Sequence, residues 1–205
     1  EYLRLKSFVD EKVEEQANQV ANSLSDNDYR LRDGKKFPRV SKILNPDPLN
    51  IPNIEKYAER GTVIHHIVNE YLKTGEWDTP AADISPLKWT DIKYKEFFDK
   101  YGDRFGKDFQ LNVECFNDNH LFSGEIDFVG DYEGKMTIGD FKTGTWKLEQ
   151  IIAYFKCAPK TVKQLAIFDL KNCKVETWAV DEPPVQEAWE NFLKLRGAFK
   201  QRFSI

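Results

Sequence analysis

Two short stretches gather the residues best suited to chemistry. In IGDFKTG (138–144), Asp140 and Lys142 stand two residues apart inside an otherwise apolar run. In FSGEIDFVG (122–130), alternation sets Ser123, Glu125, Asp127 and Val129 against Phe122, Ile126 and Phe128. Both read as strands, and EGK at 133–135 predicts a tight turn joining them into an antiparallel hairpin. Across such a hairpin Asp127 and Asp140 approach each other. Carboxylates held that close repel, and one takes up a proton unless a cation sits between them. A divalent metal would resolve the conflict and offset the cost of burial. Glu114, on the preceding strand LNVECF (111–116), could bring a third carboxylate to the same edge. Lys142 would stand beside the metal, where an ammonium can hold an attacking water or stabilise charge growing on a phosphate. An isolated D-x-K is equally compatible with a surface hairpin carrying solvated acids, or with one buried ion pair.

The elements that must position these residues are legible in the periodicity. An amphipathic helix is expected over residues 2–24, followed by the polar, basic stretch RLRDGKKFPRVSK (30–42). That stretch reads as a solvated loop or as a phosphate-contacting strip, with Arg39, Ser41 and Lys42 the best candidates for the second role. Residues 45–53 read as a Pro- and Asn-rich loop. A helix is expected from Ile54 to Leu72, burying Tyr57, Ile64, Ile67, Val68 and Tyr71 and stopping at Gly75. Another helix is expected around 87–105. The period then changes to alternation, giving three strands (111–116, 121–132, 135–143). A short helix at 148–157, strands at 161–170 and 174–180, and a closing helix at 185–203 complete the chain. This order predicts an α/β fold with a mixed central sheet, antiparallel at its start, flanked by helices.

The acids belong to a longer pattern, E-x9-G-x2-D-x12-D-x-K-T-G, running through Glu114, Gly124, Asp127, Asp140, Lys142 and Thr143 on consecutive strands. Upstream lies RGTVIHHIVNEYL (60–72), with a glycine four residues before His65. Downstream lies QIIAY (150–154), in which Gln150 and Tyr154 are one helical turn apart. Taken together, residues 37–158 resemble the RecB-type branch of the PD-(D/E)XK nucleases. FPRVSKIL (37–44) is similar to an element of the mitochondrial genome maintenance exonucleases and related phage and bacterial exonucleases.

The resemblance implies a restriction-endonuclease-like core and one nuclease domain over 1–205. Within it, 1–36 would be a helix and basic segment, 37–180 the catalytic core and 181–205 a closing helix. It implies a metal-dependent deoxyribonuclease, most simply an exonuclease on single-stranded or end-bearing DNA in recombination, replication or repair. A structure-specific or defence-related endonuclease, or a non-catalytic nucleic-acid-binding module, are the alternatives. In the implied site Asp127, Asp140, His65 and the Phe141 carbonyl hold one or two Mg²⁺ or Mn²⁺ ions. Lys142 orients the nucleophile, Gln150 supports it, Glu114 orients the metal shell, and Tyr154 faces the nucleic acid. Trp146 is a candidate base-stacking platform or a packing residue.

Composition narrows the classes further. With 205 residues, 40% hydrophobic and 31% charged, the chain can bury a sizeable core. The net charge of −4 excludes coating of nucleic acid by bulk electrostatics but leaves room for a local basic track. Cys115, Cys157 and Cys173 are too scattered for a zinc knuckle or an iron–sulfur cluster, so no cluster is expected. Their odd number suits a reducing compartment. No apolar run is long enough to span a bilayer and no membrane partner is expected. A cytoplasmic location in a bacterial or phage-infected cell follows, or the mitochondrial matrix if a leader preceding Glu1 has been removed.

Overall fold

The structure is a computed structural model that describes residues 24–47, 54–77 and 92–204, with side chains described from Glu59 onward in the second stretch. The helix expected over 2–24 and the expected burial of Tyr57 lie outside the described residues.

The basic segment is not a loop. Tyr29–Arg32 (β1) and Lys35–Pro38 (β2) pair antiparallel, and Val40–Leu44 (α1) follows directly. The cause is the Asp33–Gly34 dipeptide, whose φ values of 52° and 73° are the left-handed pair that a two-residue hairpin turn needs. Glu133 and Gly134 repeat this geometry at the expected EGK turn, with φ of 54° and 76°.

Helix α2 runs Ile54–Thr74 and α3 Tyr94–Tyr101. The helix expected to reach residue 105 therefore ends earlier, because Gly102–Arg104 tightens into a 3-10 turn and Phe105 already begins β3. Strands β3 (Phe105–Asn117), β4 (Phe122–Tyr132) and β5 (Lys135–Lys142) form the expected antiparallel meander. Helix α4 (Leu148–Phe155) then carries the chain across to β6 (Gln164–Asp169), which pairs parallel to β5. Strand β7 (Lys174–Ala179) pairs antiparallel to β6, and α5 (Pro183–Phe203) closes the chain. The sheet order is β3-β4-β5-β6-β7, mostly antiparallel, with helices on both faces.

Two cores result. On one face Val40, Ile43, Ile151, Ile152, Val185, Phe192 and Phe199 from α1, α4 and α5 pack on Ile138, Leu165 and Ile167. On the other, Ile64, Val68, Phe97 and Phe98 from α2 and α3 pack on Phe128, Phe141, Ala166 and Phe168. Strand β6 lies between both layers, which is why QLAIFD is buried throughout and shows no alternation.

One local break governs the site. Leu111 and Phe128 pair across β3–β4 and serve the second core, whereas Val113 and Ile126, two residues along each strand, serve the first. Regular strands keep such residues on one face. Between them Asn112 has φ 53°, a conformation that asparagine tolerates better than most residues. Asn69 on α2 donates from Nδ2 to Asn112 Oδ1 at 3.1 Å and ties the helix to the break. The uninterrupted alternation expected over 122–130 is thus corrected, and Ile126 and Phe128 serve different cores.

Among the described residues no helix is long and apolar enough to cross a membrane.

Candidate active site

The site forms where β4 and β5 end their ladder. The ladder runs from Tyr132–Lys135 to Phe128–Gly139, and one further step of that register would set Asp127 opposite Asp140. Both carboxylates are buried. Asp127 Oδ2 accepts the Phe141 backbone N–H at 2.9 Å, just beyond the last β4–β5 ladder pair.

His65, on α2, reaches the same point as expected. Its Nε2 lies 2.9 Å from the Phe141 carbonyl oxygen, and its Nδ1 lies 3.5 Å from Asp127 Oδ1. From the other side Lys142 Nζ lies 2.8 Å from Asp140 Oδ2 and donates to Gln150 Oε1 at 2.9 Å. Gln150 Nε2 in turn donates to the Tyr154 hydroxyl at 2.9 Å. Helix α4 presents both residues because they are four apart, on one face. Tyr154 owes its place to Gly124: a Cβ there would fall 2.7 Å from Tyr154 Cδ1 and closer still to Cε1. The glycine of G-x-x-D is thus a seat for the tyrosine ring.

The electrostatics separate the two acids. Burial pushes the Asp140 carboxyl up, and Asp127 adds to the effect; Lys142 pulls the other way without overcoming them, leaving it at about 7. Burial also raises Asp127, but the hydrogen bond and charge of His65 outweigh it and hold Asp127 at about 2. Burial opposes the charged form of His65, yet the bond to Asp127 wins and raises the imidazole above its ordinary value. Asp127 thus favours the charged form of His65, while Asp140 is the acid whose charge burial opposes.

The donor set fits a hard divalent cation by its chemistry. Two buried carboxylates and a backbone carbonyl supply oxygen ligands, and the buried Asp140 Oδ2 meets Lys142 Nζ at 2.8 Å. Among the described residues no three His, Cys, Asp or Glu side chains form a metal-holding group; His65 meets the Phe141 carbonyl and Asp127 the Phe141 amide.

Glu114 does not join this cluster. It pairs across the sheet with Glu125, and Arg30 of β1 bridges the two, contacting Glu114 and lying 2.6 Å from Glu125 Oε2. The break at Asn112 separates this exposed pair from Asp127. Arg30 is the residue the sequence reading missed as a clamp; the signal was the D-G turn, which converts the basic run into a hairpin laid over β4. Serine 123 anchors that hairpin by donating from Oγ to the Phe37 carbonyl at 2.8 Å. Arg30→Ala is expected to destabilise the protein by about 1 kcal/mol, since two like charges would then face each other unbridged. Urea denaturation checks this, and pairing the change with Glu114→Gln should restore part of the loss.

Trp146 is partly buried and meets Trp178 edge to face at 5.8 Å, so it packs in part against β7. Lys42 lies 3.5 Å from Asp28 Oδ1. Arg39 and Ser41 line a recess together with Gly124 and Tyr154, beside the relay to Lys142. No family model matches this chain, and no curated protein matches it.

Proposed function

We propose that the chain is a metal-dependent nuclease with a PD-(D/E)XK core, hydrolysing phosphodiester bonds of DNA as an exonuclease on single-stranded or end-bearing strands. One observation carries the reading: Asp127, Asp140, Lys142 and Gln150 converge at one point, with both carboxylates buried and Asp140 paired to Lys142 at 2.8 Å. A non-catalytic binding module has no use for that costly arrangement. The sequence pattern shared with RecB-type nucleases names the chemistry that would use it.

Asp127, Asp140, the Phe141 carbonyl and His65 would hold Mg²⁺ or Mn²⁺. When bound, the ion polarises the scissile phosphate and lowers the pKa of a bound water. Lys142 brings a positive charge to the nucleophile or to the phosphate as charge develops there. Gln150, fixed by Tyr154, limits the ammonium to one position. The buried walls strengthen each of these interactions by excluding bulk water.

Linear and covalently closed circular single-stranded DNA, each incubated with Mg²⁺, test the proposal. Degradation of the linear form alone is the expected result. Cleavage of circles would make the protein an endonuclease, and binding without cleavage of either would make it a recognition module.

A further inference from the structure

We propose that Cys115 and Cys157 form an oxidation site, two thiols that peroxide converts into a reversible intramolecular disulfide between β3 and the end of α4. The inference is independent of the nuclease reading. Both thiols are free, and the fold sets them side by side. Cys115 and Asn117 are buried on one face of β3, on either side of the half-buried Phe116. Asn117 donates from Nδ2 to the Lys156 carbonyl at 2.8 Å, which fixes the strand beside the residue that precedes Cys157. Cys157 lies in the turn that ends α4, its N–H donating to the Tyr154 carbonyl at 2.9 Å and its thiol to the Ala153 carbonyl at 3.5 Å. The two side chains share one core, Cys115 within it and the half-buried Cys157 against it. They also act on each other directly: Cys115 is the largest influence on the Cys157 thiol, ahead of burial, and both push it up. Cys173 belongs to the core on the opposite face of the sheet, away from both.

The pair adjoins the relay. Gly124, the seat of the Tyr154 ring, is the ladder partner of Cys115. A bridge would close a loop over residues 116–156, which carries Asp127, Asp140, Lys142, Gln150 and Tyr154. Cys157 is the more accessible sulfur and reacts first. Its thiolate attacks one oxygen of hydrogen peroxide; the S–O bond forms as the O–O bond breaks, and the leaving hydroxide takes up the thiol's proton as water. The Cys115 sulfur then attacks the Cys157 sulfenic sulfur, the S–S bond forms as the S–O bond breaks, and a second water leaves with the Cys115 proton. The sulfurs give up two electrons and one peroxide becomes two waters. Because Cys157 is held as the thiol, the first step is slow and the reduced pair persists until peroxide is in excess.

The full chain treated with hydrogen peroxide, then mapped by mass spectrometry without reduction, tests the site. The monomer should lose two hydrogens, one cross-linked peptide pair should join Cys115 to Cys157, and dithiothreitol should restore both thiols. The oxidised protein should melt about 5–10 °C above the reduced one, since the bridge constrains the unfolded chain. Cys157→Ser should abolish the cross-link and the shift, and Cys173→Ser should leave both in place. Cys115→Ser should also abolish them, and Cys157→Ser decides alone if the more buried substitution does not fold. Thiols that both stay free, oxygen added at Cys157 with Cys115 still free, or a bridge through Cys173 or to a second copy would each overturn the proposal. So would a cross-linked form that melts below the reduced protein, because the bridge would then not fit the fold.

Discussion

Asp140→Asn is expected to stabilise the metal-free protein at pH 8 and to leave its stability nearly unchanged at pH 4. The sign follows from the direction of the shift. In the unfolded chain the carboxyl titrates near 3.8; in the folded protein burial raises it to about 7. Between those values the folded state binds more protons than the unfolded state, so stability falls as pH rises. Above about 7 the full cost of a buried carboxylate is present. Asparagine removes that charge while keeping the shape. Part of the gain is lost because Lys142 gives up its ionic neighbour at 2.8 Å, so a net gain of about 1–3 kcal/mol is expected at pH 8. Thermal melts in EDTA at both pH values measure it. An equal effect at pH 4 and pH 8, or a loss at pH 8, would mean that Asp140 is not a strained acid.

The second large effect is steric. Gly124→Ala is expected to cost about 1–3 kcal/mol, because the new methyl group would overlap the Tyr154 ring. The ring cannot swing aside freely: it is buried, and its hydroxyl accepts from Gln150 at 2.9 Å. Displacing it also frees Gln150, and with it Lys142, so activity should fall further than the stability loss explains. A double-mutant cycle with Tyr154→Ala separates the two readings. Removing the ring should relieve most of the Gly124→Ala penalty, giving strong coupling. Additive losses would show that the two residues do not press on each other.

These residues show how much the chain discloses before it is folded. The D-x-K strand, the G-x-x-D strand and the turn between them were readable because a two-residue period and an E-G turn are local signals. His65 was readable from its helical stripe and its place after Gly61. The outward turn of Glu114 was not: it follows the change of face between Leu111 and Val113, where Asn112 has φ 53°, and the alternation of apolar residues conceals that change. The β1–β2 hairpin was concealed differently. Its D-G turn signal is strong, but the strands around it are basic, and charge suggested a solvated loop. Arg30 therefore counted as one of several cations rather than as the bridge between Glu114 and Glu125. The early start of β3 was hidden because its register shifts between Phe105 and Phe109, interrupting the period that marks a strand.

The central claim is that Asp140 and Lys142 are halves of one catalytic site. Mg²⁺-dependent release of nucleotides from linear single-stranded DNA tests it most directly, comparing wild type with Asp140→Ala and Lys142→Ala. Both variants should fold, and both should lose at least about a hundredfold in rate, with no activity in EDTA for any of the three. Activity that survives in both variants would contradict the account.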